Sequence, residues 1–242
     1  MSLDTVDFGK LGLRPGMRIL DLGCGEGRHT LSAWLQAPVH AVGLDLCLDD
    51  LATARDRQSE FTECSPSGSH ASFIQASALD LPFADASFDL VICAEVLEHV
   101  FDYRGVIKEC ARVIRPGGTF VASVPRYWPE RLCWLLSDPY HESAGGHIRI
   151  FRGRQLERSI TAAGFHALGR HGAHALHAPY WWLRTAAGSD AAADKSRLVQ
   201  AWHRLLVRDM LEAPRLTRTL ERWLNPVMGK SVVSYFQRAE AP

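Results

Sequence analysis

One glycine-rich segment near the start of the chain constrains the fold more than any other feature of the sequence. An apolar run from Met17 to Leu22 predicts a buried strand, and three glycines follow at alternate positions, Gly23, Gly25 and Gly27. A helical stretch comes next, so the order is strand, glycine turn, helix. This order brings backbone close to a bound nucleotide, because glycine lacks a Cβ and tolerates positive φ angles.

The glycine spacing distinguishes this turn from a dinucleotide site. A dinucleotide site has the pattern G-x-G-x-x-G, in which amides at a helix N-terminus face a pyrophosphate. Here the third glycine comes one residue early, and Asp21 at the end of the strand would repel a diphosphate. The pattern therefore favours a ligand that carries an ammonium group and no phosphate. A nicotinamide-dependent oxidoreductase is the alternative.

A second acidic residue follows the next predicted strand, His40 to Asp45. Asp45 lies 18 residues after Gly27, where nucleotide-binding βαβ units place a carboxylate on the ribose hydroxyls. The alternative is that Asp45 is the N-cap of the helix that begins near Leu48. Because the glycine turn precedes it, we favour ribose binding.

Three segments together resemble a known family. Asp21-x-Gly23-x-Gly25-x-Gly27 resembles the first motif of class I S-adenosylmethionine-dependent methyltransferases. Residues 81–100, with S-F-D-L-V and E-V-L-E-H-V, are similar to the subgroup of the ubiquinone and menaquinone pathway enzymes (methyltransferase type 11). Residues 77–83 resemble the family's adenine segment, with Ser77 in place of the usual acid. The resemblance implies a Rossmann-like fold and S-adenosyl-L-methionine as the cofactor.

The resemblance also implies a set of site residues. The implied cofactor-binding residues are Asp21, Gly23, Gly25, Gly27, Asp45, Leu46, Ser77, Ala78 and Glu95. Methyltransferases that act on nucleic-acid bases carry an N/D-P-P-Y/F turn after the fourth strand, and this turn is absent here. We therefore expect a small-molecule acceptor and no nucleic acid.

The remaining pattern predicts an α/β fold with a doubly wound, mostly parallel seven-stranded sheet. A helix from Tyr103 to Ile114 is expected to stop at Arg115-Pro-Gly-Gly118, and a fifth strand to cover Thr119 to Val124. Residues 165–176 are predicted as a sixth strand. Residues 231–238 are predicted as an antiparallel seventh strand.

A helical insertion is predicted between the last two strands, at about residues 177–230, with two helical stretches. One apolar face is expected to comprise Leu198, Trp202, Leu205, Leu206 and Met210. We expect one domain over residues 1–242, with a cofactor half (1–125) and a substrate half (126–242) that this insertion covers as a lid.

The charge is divided unevenly along the chain. Residues 1–100 hold 6 Lys/Arg against 15 Asp/Glu, a net charge of −9, whereas residues 101–242 hold 21 against 12, a net charge of +9. The basic half is consistent with an anionic substrate or membrane surface, or simply with a basic helical surface that keeps the chain in solution.

Composition sets the expected location. The six cysteines form no C-x-x-C pair, no long apolar run predicts a membrane span, and the N-terminus lacks a signal-peptide pattern. We expect a cytoplasmic protein with possible peripheral membrane contact through the insertion. The oligomeric state is left open.

The residues after the fifth strand supply candidates for chemistry. His141, Glu142 and His147 lie where the family's substrate loop follows that strand, and a histidine base would suit proton removal from an oxygen acceptor. His141 and His147 are therefore the predicted catalytic residues. The alternative is that these side chains only brace the loop.

A metal site is a separate question. In the ubiquinone-pathway O-methyltransferases that this segment resembles, residues matching Glu95, Glu98 and His99 bind a divalent metal. The alternative is that Glu98 and His99 cap and pack the helix, so no metal is assigned.

The sequence as a whole predicts a methyltransferase that acts on a small, partly apolar acceptor. The predicted acceptor atom is oxygen, with carbon as the alternative, in a quinone precursor, a lipid or a natural-product scaffold. A non-catalytic cofactor-binding or membrane-surface module is the remaining alternative.

Overall fold

The chain forms one seven-stranded sheet in a computed structural model that describes residues 4–137, 146–152, 154–212 and 214–240. The strands are β1 Arg18–Leu22, β2 His40–Asp45, β3 His70–Gln75, β4 Phe88–Ala94, β5 Ile114–Pro125, β6 Phe165–Ala173 and β7 Ser231–Arg238. Their order in the sheet is β3-β2-β1-β4-β5-β7-β6. Six strands run parallel, and β7 pairs antiparallel with β5 and β6. The predicted fold class is confirmed.

Helices cover the sheet and form the insertion before its last strand. Within the described ranges they are α1 Arg28–Gln36, α2 Leu48–Glu60, α3 Tyr103–Val113, α4 Tyr127–Leu136, α5 Gln155–Thr161, α6 His177–Ala186, α7 Asp190–Lys195, α8 Arg197–Glu212 and α9 Arg215–Met228. None of these helices combines the length and apolar character needed to cross a bilayer.

The central strand β4 shows why the sheet is buried on both faces. Val91 and Cys93 pack in the core that contains α3, whereas Leu90 and Ile92 pack in the core that contains Trp34 of α1. All four strand residues are fully buried. A parallel sheet with helices on both faces requires such continuous apolar strands, because alternate side chains point to opposite faces.

The order of the strands reverses beside β1, and this reversal positions the site. Strands β2 and β3 lie on one side of β1, and β4 and β5 lie on the other. Open α/β sheets bind ligands outside the carboxyl ends of their strands at such a switch point. The glycine turn follows β1 and Glu95 follows β4, so both segments meet there.

Two predicted element boundaries differ from the structure. Helix α3 ends at Val113, because Ile114 already pairs with Phe88. Residues 115–118 then bulge out before Thr119 pairs with Leu90, so the segment predicted as a helix stop belongs to β5. Strand β6 ends at Ala173 and not at residue 176, because His174 has a φ of +62° and turns the chain out of the sheet.

The insertion has four described helices, α6 to α9, so the prediction of two helical stretches was wrong. Ser189 caps α7 and Pro214 precedes α9, and both interrupt the apolar period. The predicted face of α8 was also partly wrong. Leu198 is 68% exposed, whereas Val199 and Leu206 are buried.

Candidate functional site

The glycine turn after β1 leaves open space at one position only. Gly23, Gly25 and Gly27 all have positive φ, at +70°, +50° and +82°. A Cβ on Gly23 would lie 2.3 Å from Val96 Cγ2, and one on Gly27 would lie 2.9 Å from Ala54 Cβ. A Cβ on Gly25 would meet nothing within 4 Å. Gly23 and Gly27 therefore satisfy packing, whereas Gly25 faces free space at the switch point.

Asp21 lies beneath this turn and is almost completely buried. Its Oδ2 accepts hydrogen bonds from the backbone N–H of Thr30, at 2.9 Å, and from Thr30 Oγ1, at 2.7 Å. Burial raises the pKa of Asp21 to about 6. Asp21 thus holds the first turn of α1 against β1. Its predicted contact with a ligand ammonium group stays a prediction.

Asp45, at the end of β2, contacts the glycine turn directly. Its Oδ2 accepts a hydrogen bond from Gly25 N at 2.8 Å, and its Oδ1 accepts one from Cys47 N at 2.9 Å. Helix α2 begins at Leu48 with Cys47 as its N-cap, so the alternative that Asp45 is the N-cap was wrong. Each carboxylate oxygen can accept a further hydrogen bond, so Asp45 can also serve ribose hydroxyls.

Two more predicted cofactor segments flank Asp45. Leu46 is 67% exposed and has no role in the core. Ser77, after β3, accepts a hydrogen bond on Oγ from Leu79 N at 3.2 Å, and Ser77 O accepts one from Asp80 N. These bonds fold residues 77–80 into a tight turn beside half-buried Ala78. The Ser77 hydroxyl can still donate a hydrogen bond toward a ligand.

Glu95 is the predicted residue with the most unusual backbone. It is one of three non-glycine residues with positive φ in the described ranges, at +58°. Its N–H donates to Ser123 O, and its Oε1 accepts from Ser123 Oγ at 2.8 Å. Such a conformation costs about 1–3 kcal/mol and is found most often at functional sites. The strain is held at the carboxyl end of β4, beside the glycine turn.

Alanine at Asp45 is expected to weaken binding of S-adenosylhomocysteine about ten- to hundredfold, because a charge-assisted hydrogen bond to ribose contributes about 1.5–3 kcal/mol. Calorimetry measures the affinity. Asp45→Asn is the matched control, since its side-chain oxygen can still accept from Gly25 N. Unchanged binding in Asp45→Ala would remove the ribose assignment.

A second polar cluster lies beyond β4 and β5. Glu130 of α4 accepts on Oε1 from His147 Nδ1 at 2.6 Å and from Trp134 Nε1 at 3.2 Å. The rings of His99 and His147 are edge to face, with centroids 4.9 Å apart. His99 Nδ1 lies 3.2 Å from Gly146 O, and Ile148 N donates to Glu98 O, so the chain around His147 is held against the end of β4.

Glu98 is the buried acid of this second cluster. It is completely buried, and neither carboxylate oxygen has a hydrogen-bond partner among the described residues. Burial, and then the neighbouring charge of Glu95, raise its pKa well above the usual range. One ligand atom each of Glu98, His99 and His147 lies within 4.8 Å of the others. These three residues could hold a divalent cation.

The second cluster contains only part of what the sequence predicted. His141 and Glu142 lie outside the described residues. Glu95 is bonded to Ser123 and does not belong to the three-residue group, in which His147 stands instead. Sequence reasoning missed Glu130. The signal was that Glu130 is the only acidic residue in a helix that, apart from Arg131, is apolar and aromatic.

This arrangement can support two kinds of chemistry, and His147 is common to both. As a base, its imidazole would be oriented by the Glu130 carboxylate. As a metal ligand, the same imidazole would be occupied by the cation. One histidine cannot do both in the same step.

Comparisons with known proteins identify the family of this chain. A family model described as a methyltransferase domain matches residues 20–122. The ubiquinone biosynthesis O-methyltransferase of Aromatoleum aromaticum is 32% identical over 171 residues, which cover 68% of this chain and 69% of that protein. The 27-O-demethylrifamycin SV methyltransferase of Amycolatopsis mediterranei is 37% identical over 110 residues, which cover 46% and 39%.

Solved structures add the fold. A methyltransferase of Methanosarcina mazei that depends on S-adenosylmethionine superposes with a TM-score of 0.63 over 99% of this chain and 100% of that one, at 18% identity. The chain spans about two fifths of the length of the first curated relatives it matches. The chain belongs to the S-adenosylmethionine-dependent methyltransferase family, in the subgroup that resembles the ubiquinone-pathway enzymes.

Proposed function

We propose that this chain transfers a methyl group to an oxygen atom of a small, partly apolar acceptor. The observation that carries the proposal is the hydrogen bond of 2.6 Å between His147 and Glu130, beside the switch point of the sheet. The relatives named for ubiquinone biosynthesis and for demethylrifamycin are consistent with a phenol or hydroxyquinone acceptor. Family membership argues against the nicotinamide alternative.

The proposed roles of the residues follow from their positions. S-adenosylmethionine, when bound, supplies an activated methyl group on a sulfonium. The glycine turn and Asp45 position this cofactor, and His147 takes the proton from the acceptor hydroxyl. Burial acts to raise the pKa of Glu130, but the hydrogen bond with His147, the charges of His147 and Lys230 and the hydrogen bond from Trp134 together lower it. Glu130 therefore stays ionised and can orient and stabilise the imidazolium that forms.

A direct assay tests the proposal. The chain would be incubated with S-adenosylmethionine and a panel of phenols and hydroxyquinones, and mass spectrometry would detect the addition of one methyl group. Product NMR distinguishes an O-methyl from a C-methyl group. Binding of S-adenosylhomocysteine without turnover of any acceptor would favour a non-catalytic module. Binding of NAD in its place would overturn the cofactor assignment.

We propose that the insertion forms a wall of the acceptor pocket. Helix α6 packs against α4, which carries Glu130. Trp182 Nε1 donates to Pro129 O at 3.1 Å, and the rings of Trp182 and Trp128 are 5.4 Å apart. A cavity of about 660 Å³ is lined by Trp128, Phe151, the carboxyl end of β5 and α9, but not by the pair of Glu130 and His147. Its size is in the usual range for a small-molecule site.

Replacing Trp182 by alanine is expected to raise the acceptor KM several-fold with little loss of melting temperature, because the indole holds α6 onto α4, the helix that carries Glu130. Steady-state kinetics and a thermal melt measure the two effects. Trp182→Phe keeps an aromatic ring but loses the N–H donor and part of the indole area, so it should change KM less than alanine does. A lowered melting temperature with an unchanged KM would assign Trp182 to packing alone.

Helix α9 presents an unpaired apolar stripe that suits a lipid surface. The exposed residues of the stripe are Leu216, Leu220, Trp223 and Val227, and Trp223 is 77% exposed. Exposed Arg215, Arg218 and Arg222 lie on the same helix. An amphipathic helix of this kind can lie in a membrane interface, where anionic lipid attracts each well-placed cation by about 1 kcal/mol. We therefore propose anionic lipid as the occupant of this stripe.

Vesicle co-sedimentation is expected to show binding to phosphatidylserine vesicles at low salt and weaker binding to neutral vesicles. Trp223→Ser and Arg218→Glu should each reduce it. Leu168→Ser is the matched control, because Leu168 is 61% exposed on β6, outside the insertion. The lipid proposal would be contradicted if Leu168→Ser lost as much vesicle binding as the two insertion variants, or if the wild-type chain bound neither kind of vesicle. If the protein is a dimer in solution and Trp223→Ser dissociates it, the stripe binds a second copy of the chain and not lipid.

A further inference from the structure

A second cavity, separate from both site clusters, collects titratable side chains from distant parts of the chain. It has a volume of about 410 Å³ and lies between the end of β6, the insertion and the N-terminal residues. Its titratable lining includes His171, His174, His177, Asp209 and Glu221. Neither the cofactor site nor the proposed base uses any of them.

Three of these side chains converge on one point. One ligand atom each of His174, His177 and Glu221 lies within 4.8 Å of the others. The two histidines are three residues apart around the end of β6, with ring centroids 5.2 Å apart. The left-handed φ of +62° at His174 turns the chain so that both rings reach the cavity. Two imidazoles and a carboxylate form a donor set that zinc commonly takes in proteins.

Several polar atoms of this cavity are left without hydrogen-bond partners. His177 Nδ1, Asp209 Oδ1 and Glu221 Oε1 are buried and make no hydrogen bond with any described residue. Buried polar atoms in folded proteins nearly always have a partner. A cation in the cavity would supply that partner.

We propose that His174, His177 and Glu221 bind a zinc ion, and that Asp209, which lines the same cavity outside this three-residue group, turns toward the ion as the fourth ligand. Two carboxylates neutralise the charge of Zn²⁺, and two imidazoles complete a tetrahedral set. Thr5 Oγ1 lies 3.2 Å from His174 Nε2, which orients the ring and leaves Nδ1 for the ion.

The ion would have a structural role. It would join the turn after β6, where His174 lies, to α6, α8 and α9, which carry His177, Asp209 and Glu221. Four protein ligands leave no open position for a substrate, as in other structural zinc sites. Zinc would therefore fix the arrangement of the insertion helices.

The test uses the whole chain, stripped with chelator and dialysed against Zn²⁺ of known concentration, with the bound metal measured by mass spectrometry. Glu221→Gln and His177→Gln should weaken zinc binding at least about 100-fold, since loss even of an outer-shell partner costs about 10- to 100-fold. His171→Gln is the matched control from the same cavity. Glu98→Gln is the control that removes the other candidate cluster. Both control variants should still bind the zinc ion of this cavity.

Two further readouts identify the site. Co²⁺ in place of zinc should give the strong visible absorption of a four-coordinate ion in wild type and not in Glu221→Gln. Zinc should raise the melting temperature of wild type but not of Glu221→Gln. If that variant does not fold, Asp209→Asn takes its place. The proposal fails if wild type binds no zinc, or if Glu98→Gln loses the ion and Glu221→Gln keeps it.

Discussion

Replacement of His147 by alanine is expected to lower kcat about 10²–10⁴-fold while leaving binding of S-adenosylhomocysteine unchanged. The reason is that His147 is the described histidine that a carboxylate orients at the carboxyl end of the sheet, through Glu130. Single-turnover kinetics and calorimetry measure the two quantities. A His147→Ala variant with full activity would leave this histidine a structural role only.

The Glu130→Gln variant shows how the pair works. It keeps the shape of the side chain but loses the charge that orients His147, so Glu130 is a positioning residue. We expect a smaller loss in kcat than in His147→Ala and a shift in the pH–rate profile. If Glu130 only braces the loop, Glu130→Gln should lower the melting temperature and leave the pH–rate profile unchanged.

Chelator treatment distinguishes the base from the metal alternative at the same residue. If Glu98, His99 and His147 hold a catalytic cation, chelator should abolish activity and Mg²⁺ or Zn²⁺ should restore it. The structural zinc proposed at Glu221 would confuse this result, so the assay is repeated in Glu221→Gln below its melting temperature. If chelator still lowers the activity of Glu221→Gln, the cation that it removes is held by Glu98, His99 and His147. Full activity in chelator favours the base.

Valine at Gly25 is expected to weaken binding of S-adenosylhomocysteine at least about 100-fold. A Cβ at this position would meet no protein atom within 4 Å, and the valine methyl groups are expected to project into the space of the cofactor. The change therefore blocks the ligand and does not disturb the core. Calorimetry measures the affinity, and a thermal melt checks that the fold persists.

Gly68→Val is the matched control for backbone strain. Gly68 also has a positive φ, +82°, and open space around it, but it lies in the turn before β3. Both variants carry a similar conformational cost, since β-branched residues rarely adopt positive φ. Only Gly25→Val should lose cofactor affinity. Equal affinity in the two variants would show that the cofactor does not approach Gly25.

Local sequence signals were sufficient for the cofactor half. The run of buried residues in β1, the glycines after it and Asp45 after β2 act within their own strand–turn–helix units. Parallel strands of this kind need covering helices, and right-handed connections leave few topologies. The doubly wound, mostly parallel sheet therefore followed from short-range pattern, whereas the order of the strands and the hydrogen bond from Gly25 N to Asp45 came only from the structure.

The insertion shows where such signals were insufficient. Apolar periodicity predicted Leu198 in the buried face of α8, yet the helix buries Val199 and Leu206. The rotation of α8 depends on what it packs against, and Trp202 Nε1 donates to Leu176 O, at the N-cap of α6. Apolar periodicity predicts that a helix is present, but the elements that pack against the helix decide which of its faces is buried.

The sequence by itself determined the fold class, the cofactor turn and the residue types available for chemistry. Only the tertiary structure decided which of them meet. Glu130 and His147 are 17 residues apart, and Glu221 is 44 residues from His177, so no short spacing could pair them. Such contacts arise when the carboxyl ends of the strands and the insertion helices are brought together by burial of the core. Chemistry between distant side chains is a property of that packing and not of any local motif.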